Sequence, residues 1–142
     1  MADCIVDASV TLNWLFGEDR RSQWILRVFA SGAPAAPWLW GLEVVNAVLV
    51  QERRKQITQN QGTRFLQILE ALDIEIMGEP MDRDLEKLAL LARPHQLTAY
   101  DALYLDLAIN LGLPLCTMDQ NLKNAANRLG IRLIHGSKQK PK

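Results

Sequence analysis

The chain has 142 residues, 49% of them hydrophobic, and its 16 Lys and Arg residues balance its 16 Asp and Glu residues. This length and composition predict one globular domain with an ordinary core. The apolar stretches are far shorter than the ~20 residues of a membrane-spanning helix, and no basic leader is visible, so we expect a cytoplasmic protein without a membrane partner. A net charge of zero argues against strong general binding to nucleic acid, but not against an enzyme that contacts it locally.

The cysteines and histidines predict no zinc site. Cys4 and Cys116 lie in apolar segments and lack the paired spacing of zinc ligands, so we expect two reduced, buried thiols. His95 and His135 lie in unrelated contexts, and neither is predicted to bind a metal ion.

In the first half of the chain, one strand precedes several helical segments. The apolar segment Cys4–Asp7 predicts a short buried strand. A loop with one Gly and two Pro residues is predicted at Ser31–Pro37, with room for a very short strand. The predicted helices are Ala8–Phe16, about Arg20–Ala30, Leu39 to the basic end Arg53–Lys55, and about Asn60–Leu72.

In the second half, strands and helices alternate. Pro80 is predicted to open a helix that ends near Ala92, because Pro94 prevents its continuation. Gly112 and Gly130 are each expected just after the C-terminus of a helix. The predicted strands are Ile74–Met77, Leu113–Met118 and Ile131–His135, and the remaining predicted helices are Thr98–Leu111 and Gln120–Leu129.

This order of elements predicts the fold class. Strands that alternate with helices favour an α/β protein with a central, mainly parallel sheet covered by helices on both faces. We expect residues 1–136 to form this domain. The basic tail 137–142 is predicted to be disordered.

Four acidic residues lie where a strand meets a helix or where a helix begins. Asp7 ends the first predicted strand, and Asp119 follows the strand that precedes the last predicted helix. Glu43 and Asp101 are each predicted in the first turn of a helix. Ligand sites of open α/β sheets lie at the carboxyl ends of the strands, so Asp7 and Asp119 are expected at one edge of the sheet.

Each acid, considered alone, also has a structural explanation. Asp7 and Asp119 can serve as helix N-caps, whose carboxylates accept hydrogen bonds from unpaired backbone amides. Thr98 and Asp101 have the spacing of a capping box, and an acid in a first turn suits the helix dipole. Glu43 can be a solvated glutamate near a helix start. No single position therefore identifies a functional site.

Considered together, four carboxylates in one cleft would need a cation. Two like charges ~4 Å apart repel each other by ~4 kcal/mol at an effective dielectric constant of 20. Mg²⁺ and Mn²⁺ prefer oxygen ligands, and such ions promote phosphodiester cleavage by activating water and stabilising the reacting oxygens. If the four acids converge, they predict a Mg²⁺ site, with Mn²⁺ as a possible substitute, in a phosphodiesterase.

Three polar residues are predicted to lie next to the acids and orient them, without binding the metal ion themselves; they are Ser9, Asn46 and Thr117. Asn46 lies one helical turn after Glu43 and shares its face of the helix. Ser9 is equally explained as a serine at a helix N-terminus, and Thr117 as a β-branched strand residue. Asp106 is predicted to be a surface charge that points away from the site.

The segments that carry these acids resemble PIN-domain ribonucleases, and most closely the toxins of bacterial VapBC toxin–antitoxin pairs. The resemblance extends over nearly the whole chain and rests on four segments: VDASV, LEVVNAV, LTAYDALYLDLA and LPLCTMDQNLKNAA. It implies a three-layer α/β/α PIN-like fold and magnesium-dependent endoribonuclease activity. It also implies that Asp7, Glu43, Asp101 and Asp119 form the acidic site, with Asp7 and Asp101 holding the metal most directly.

The same resemblance implies partners. It implies an RNA substrate, a homodimer, and a cognate antitoxin that lies along a groove between early helices. The apolar segments Trp38–Leu49 and Phe65–Leu72 are candidates for that groove, although plain core packing explains them as well.

Two other functions are compatible with parts of the pattern. An aspartate at the end of the first strand also occurs in phosphatases that form an aspartyl phosphate, but those have a second aspartate two residues later, where this chain has Ser9. The chain also lacks an obvious phosphate-binding lysine near its last strand. The other alternative is a non-catalytic PIN-like module that acts through protein contacts.

Overall fold

The structure, a computed structural model, describes residues 1–17, 23–79 and 84–134. Its strands are β1 (Cys4–Val6), β2 (Pro34–Pro37), β3 (Glu75–Met77) and β4 (Leu115–Cys116). All pairings between them are parallel, and their order in the sheet is β3-β2-β1-β4. The mainly parallel sheet predicted from the sequence is thereby confirmed.

Helices cover this sheet. They are α1 (Ala8–Phe16), α2 (Gln23–Leu26), α3 (Leu39–Arg53), α4 (Gln59–Ala71), α5 (Leu85–Ala92), α6 (Ala99–Leu111) and α7 (Gln120–Arg128). Helix α3 packs against β2 and contacts α1 and α4, whereas α6 packs against β1, β2 and β4 and contacts α5 and α7. The result is the expected three-layer α/β/α architecture.

Strand β1 lies in the interior of the sheet, where the core is most deeply buried. Ile5 pairs with Ala35 on one side and with Leu115 on the other. All three residues of β1 are at most 1% exposed, as expected for a parallel strand that is covered on both faces. Cys4 and Cys116 are free and buried, as predicted. None of the helices in the described part of the chain combines the length and apolar character required to span a bilayer.

Several predicted boundaries differ from the structure. The predicted strand Leu113–Met118 is reduced to β4, whereas the very short strand allowed for in the predicted loop Ser31–Pro37 is present as β2. The predicted final strand Ile131–His135 is reduced, within the described residues, to one parallel bridge between Leu115 and Leu133. Two hydrogen bonds form this bridge, because the Leu115 amide donates to the Arg132 carbonyl and the Ile134 amide donates to the Leu115 carbonyl. His135 and the tail lie outside the described residues.

One predicted helix start also differs from the structure. The helix predicted from Pro80 begins at Leu85, because Asp84 has a left-handed backbone (φ 61°) that a continuous helix does not accept. Residues 80–83 lie outside the described residues, as does the predicted start of the second helix at Arg20. From Gln23 onward that second segment is helical, and it ends in a π-helical turn, Arg27–Ser31.

A close contact between α3 and α4 leads to a stability prediction at Gly62. A Cβ added at this buried glycine would lie 1.9 Å from Glu52 Oε2 and 2.9 Å from Val48 Cγ1. The glutamate can rotate away, but Val48 is fully buried and cannot. We expect Gly62→Ala to lower the free energy of unfolding by about 1 kcal/mol, because overpacking outweighs the gain of about 1 kcal/mol in helix propensity.

Gly41 in α3 is the matched control for this substitution. A Cβ added there meets no atom within 4 Å, so Gly41→Ala should raise the free energy of unfolding by up to about 1 kcal/mol. Urea denaturation of both variants measures the difference. Equal stabilisation by the two substitutions would contradict the packing argument.

Candidate active site

The candidate site lies at the carboxyl ends of β1 and β4. These strands are neighbours, with Val6 opposite Cys116, and the Asp7 amide extends their pairing by donating to the Cys116 carbonyl at 3.1 Å. Asp7 and Thr117, the residues that follow the two strands, therefore emerge side by side. The edge of the sheet predicted from the sequence is where the acids lie.

Asp7 is held by three hydrogen bonds to its carboxylate. Oδ1 accepts from the backbone amide of Val10 at 3.1 Å and from Ser9 Oγ at 2.7 Å. Oδ2 accepts from the hydroxyl of Thr117. Asp7 is thus the N-cap of α1 and is also fixed from β4. It is only 3% exposed, so its orientation is set by these partners rather than by water.

Burial of this carboxylate changes its acidity. Burial raises the pKa of Asp7 from 3.8 to about 6, and the negative charge of Asp101 adds to the rise. The hydrogen bonds from Thr117, Ser9 and Val10 oppose it, because they stabilise the charged form.

Ser9 and Thr117 connect Asp7 with the segment that carries Asp119. Thr117 Oγ1 accepts from the Asp119 amide at 2.9 Å, and Ser9 Oγ accepts from the Met118 amide at 2.9 Å. Both polar residues therefore contact Asp7 and the turn after β4, which is a supporting position. Asp119 itself is the N-cap of α7, and its Oδ2 accepts from the Leu122 amide at 2.9 Å.

Asp101 links the acids electrostatically. It lies in the first turn of α6, whose N-cap Thr98 accepts a hydrogen bond from the Asp101 amide at 3.1 Å. Burial is the main reason that the pKa of Asp101 is raised, and the charge of Asp119 contributes. Burial likewise raises the pKa of Glu43, with a contribution from Asp101. Asp101 thus interacts with each of the other three acids.

The donor set of this site fits a divalent cation. Three carboxyls whose pKa values are raised share one neighbourhood, and no Lys or Arg among the described residues contributes to their shifts. All candidate ligands are oxygens, as Mg²⁺ and Mn²⁺ prefer. However, no three Asp, Glu, His or Cys side chains within residues 1–17, 23–79 and 84–134 are grouped closely enough to hold one ion. The acids are therefore neighbours without being a formed metal cage.

Glu43 is anchored by Tyr104, a residue that the sequence interpretation missed. The Tyr104 hydroxyl donates to Glu43 Oε1 at 2.5 Å, and the tyrosine is 1% exposed. Burial and the neighbouring Glu43 carboxylate raise the pKa of Tyr104, so the phenol remains a donor. The sequence could have indicated Tyr104 through its position three residues after Asp101, since this spacing places both residues on one face of α6.

A second missed link joins α3 to β1. Trp40 Nε1 donates to Thr11 Oγ1 at 2.9 Å, and the Thr11 hydroxyl donates to the Asp7 carbonyl at 3.1 Å. Both side chains are buried. The helix that carries Glu43 is therefore connected to the backbone of Asp7 through two hydrogen bonds.

The structure also tests the positions predicted for Glu43, Asn46 and Asp106 on their helices. Glu43 lies beyond the first turn of α3, since that helix already begins at Leu39. Asn46 is exposed one turn after Glu43, and within the described residues no hydrogen bond joins it to an acid. Asp106 accepts a hydrogen bond from Asn110 Nδ2, at 3.3 Å in an exposed position.

Comparison with known proteins gives one family and several similar folds. Residues 4–128 match the family model described as PIN domain, whereas no curated protein matches the chain. PAE2754 from Pyrobaculum aerophilum has a similar structure, with a TM-score of 0.68, 23% identity, and coverage of 87% of this chain and 84% of that one.

Two further similar structures belong to proteins with a described biological role. A toxin–antitoxin complex from Klebsiella pneumoniae aligns with a TM-score of 0.62 and 19% identity, covering 94% of this chain and 99% of that one. VapC20 of Mycobacterium tuberculosis, described as a sarcin–ricin loop cleaving toxin, aligns with a TM-score of 0.63 and 16% identity, covering 87% and 95%. At these identities the similarity concerns the fold.

Proposed function

The chain belongs to the PIN domain family, and on that premise we propose that it is a magnesium-dependent endoribonuclease and the toxin of a toxin–antitoxin pair. The observation that carries this proposal is the electrostatic grouping of Asp7, Glu43 and Asp119 around Asp101. Two similar structures, a toxin–antitoxin complex and a sarcin–ricin loop cleaving toxin, support the biological role.

In this proposal Asp7 and Asp101 hold the cation most directly, and Glu43 and Asp119 complete the acidic site. A bound Mg²⁺ or Mn²⁺ ion would supply a water of lowered pKa and stabilise charge on the scissile phosphate. The chain contributes orientation: Ser9, Thr117 and the Val10 amide fix the Asp7 carboxylate, which is nearly excluded from water.

The proton on Asp7 is part of this proposal. Because the pKa of Asp7 is about 6 in the metal-free protein, a fraction of Asp7 is protonated near neutral pH. Cation binding would favour the charged form and release that proton. Proton release on addition of Mg²⁺ is therefore an expected accompaniment of binding.

The surface between α3 and α4 supports an antitoxin partner. A cavity of about 250 Å³ lies between these helices, and apolar side chains form most of its wall; they are Trp40, Val44, Val45, Leu66 and Leu69. Beside it, Leu42 is 63% exposed and Leu49 is 43% exposed on α3. An amphipathic antitoxin helix would cover such a strip. The proposed homodimer rests on the family resemblance alone.

The experiment that tests the function is cleavage of structured RNA with and without Mg²⁺. The wild-type chain should cleave only with the metal, and the double variant Asp7→Asn/Asp101→Asn should be inactive. Activity that survives in the double variant would overturn the proposal. Absence of both cleavage and Mg²⁺ binding in the wild type would favour the non-catalytic binding module.

A further inference from the structure

Tyr104 lies where three elements that carry acids meet. It is on α6, one turn after Asp101, and its hydroxyl donates to Glu43 of α3. The backbone of Ala8, the residue after Asp7, lies close enough to the phenol to lower its pKa. The hydroxyl group of Tyr104 therefore links α6 to α3 beside the start of α1.

Glu43 is held by fewer hydrogen bonds than Asp7. The Asp7 carboxylate accepts three hydrogen bonds, and the Asp119 carboxylate accepts one from the first turn of α7. Among the described residues, the bond from Tyr104 is the single hydrogen bond to the Glu43 side chain, and it occupies Oε1. Glu43 has more rotatable bonds than an aspartate, and the charge of Asp101 repels it. An anchor is what keeps such a carboxylate next to other acids.

We propose that Tyr104 is a positioning residue that fixes the Glu43 carboxylate beside Asp101, so that Glu43 is placed to help bind the divalent cation. This inference rests on the proposed function, because it assigns Glu43 to the metal site. At 1% exposure the tyrosine is too buried to reach an RNA substrate. Its effect on the reaction must therefore pass through Glu43.

Tyr104→Phe tests the inference, because it removes the hydroxyl and keeps the ring in the core. Binding of Mn²⁺, followed by electron paramagnetic resonance, should weaken about 10–100-fold, as is usual when a group supporting a metal ligand is lost. The Mn²⁺ concentration for half-maximal cleavage should rise by the same factor, and saturating Mn²⁺ should restore the rate. A fall in folded fraction would instead lower the number of binding sites and leave the affinity unchanged.

Tyr100→Phe is the matched control. Tyr100 lies on the same helix and is 58% exposed, so loss of its hydroxyl should leave Mn²⁺ affinity unchanged. In a Glu43→Gln background, Tyr104→Phe should have almost no further effect on affinity, since the residue through which it acts is already neutral.

The outcomes separate the two proposals. Unchanged Mn²⁺ affinity in Tyr104→Phe, or an equal loss with and without Glu43→Gln, overturns the role of Tyr104 while wild-type binding and cleavage leave the nuclease proposal intact. A wild-type chain that neither binds Mn²⁺ nor cleaves RNA overturns the proposed function, and the role of Tyr104 with it.

Discussion

Asp7→Asn is expected to lower Mg²⁺-dependent RNA cleavage about 10³-fold, because a metal-held reaction centre is worth several kcal/mol and each 1.36 kcal/mol is a factor of ten. Asparagine keeps the size of the side chain and can still form hydrogen bonds near Ser9 and Thr117. It cannot supply the negative charge that a cation requires. The fold should therefore survive while the activity is lost. Initial rates of cleavage at saturating Mg²⁺ measure the effect.

Asp106→Asn is the matched control for this prediction. It makes the same chemical change on α6, where the carboxylate bonds to Asn110 in an exposed position, and cleavage should stay close to the wild-type rate. A variant Asp7→Asn that retains wild-type activity would remove Asp7 from the site. Equal losses in both variants would point to a general effect of charge on RNA binding.

The second large effect concerns stability. The charge of Asp7, which the proposed activity requires, opposes folding. The pKa of Asp7 is about 6 in the folded protein and 3.8 in its ordinary state, so between these values the folded chain binds more protons than the unfolded chain. The free energy of unfolding should therefore fall as pH rises from about 4 to about 6, and then level off. For Asp7 alone the loss is about 3 kcal/mol, at 1.36 kcal/mol for each pH unit between the two pKa values.

Comparison with Asp7→Asn isolates this contribution from all other titrating groups. Urea denaturation between pH 4 and pH 7 gives the free energy of unfolding of both metal-free proteins. The value for the variant minus the value for the wild type should be larger at pH 7 than at pH 4. Mg²⁺ should reduce this difference at pH 7, because it should bind the folded wild type, and a ligand that binds only the folded state stabilises that state. A difference that is constant across this pH range would contradict the raised pKa.

These two predictions have the same origin, because Asp7 has one property that favours folding and another that opposes it. Asp7 is the N-cap of α1 and its carboxylate is almost fully buried, which favours folding through the cap and opposes it through the charge. The structural and functional explanations of this residue are therefore not alternatives. Asp119 likewise combines a structural with an electrostatic effect, since it is the N-cap of α7 and its charge helps to raise the pKa of Asp101.

The sequence alone was sufficient for the order of elements and the edge at which the acids lie. Apolar segments and helix caps act within a few residues, so their effects can be predicted without knowledge of the fold. Examples are the segment Cys4–Val6 and the caps Thr98 and Gly112. The same local reasoning failed at the last strand, whose described residues form a single bridge, because pairing with β4 depends on contacts between distant segments. It failed also at Asp84, whose left-handed backbone is not signalled by its residue type alone.

The sequence by itself determined the fold class, the positions of Asp7 and Asp119 after parallel strands, and the family resemblance. Only the tertiary structure decided which side chains touch. Thr117 bonds to Asp7 across 110 positions and Tyr104 bonds to Glu43 across 61, and no local periodicity encodes such pairs. The physical reason is that propensities and caps are properties of neighbouring residues, whereas hydrogen bonds and burial at the site arise when separate elements pack against one another.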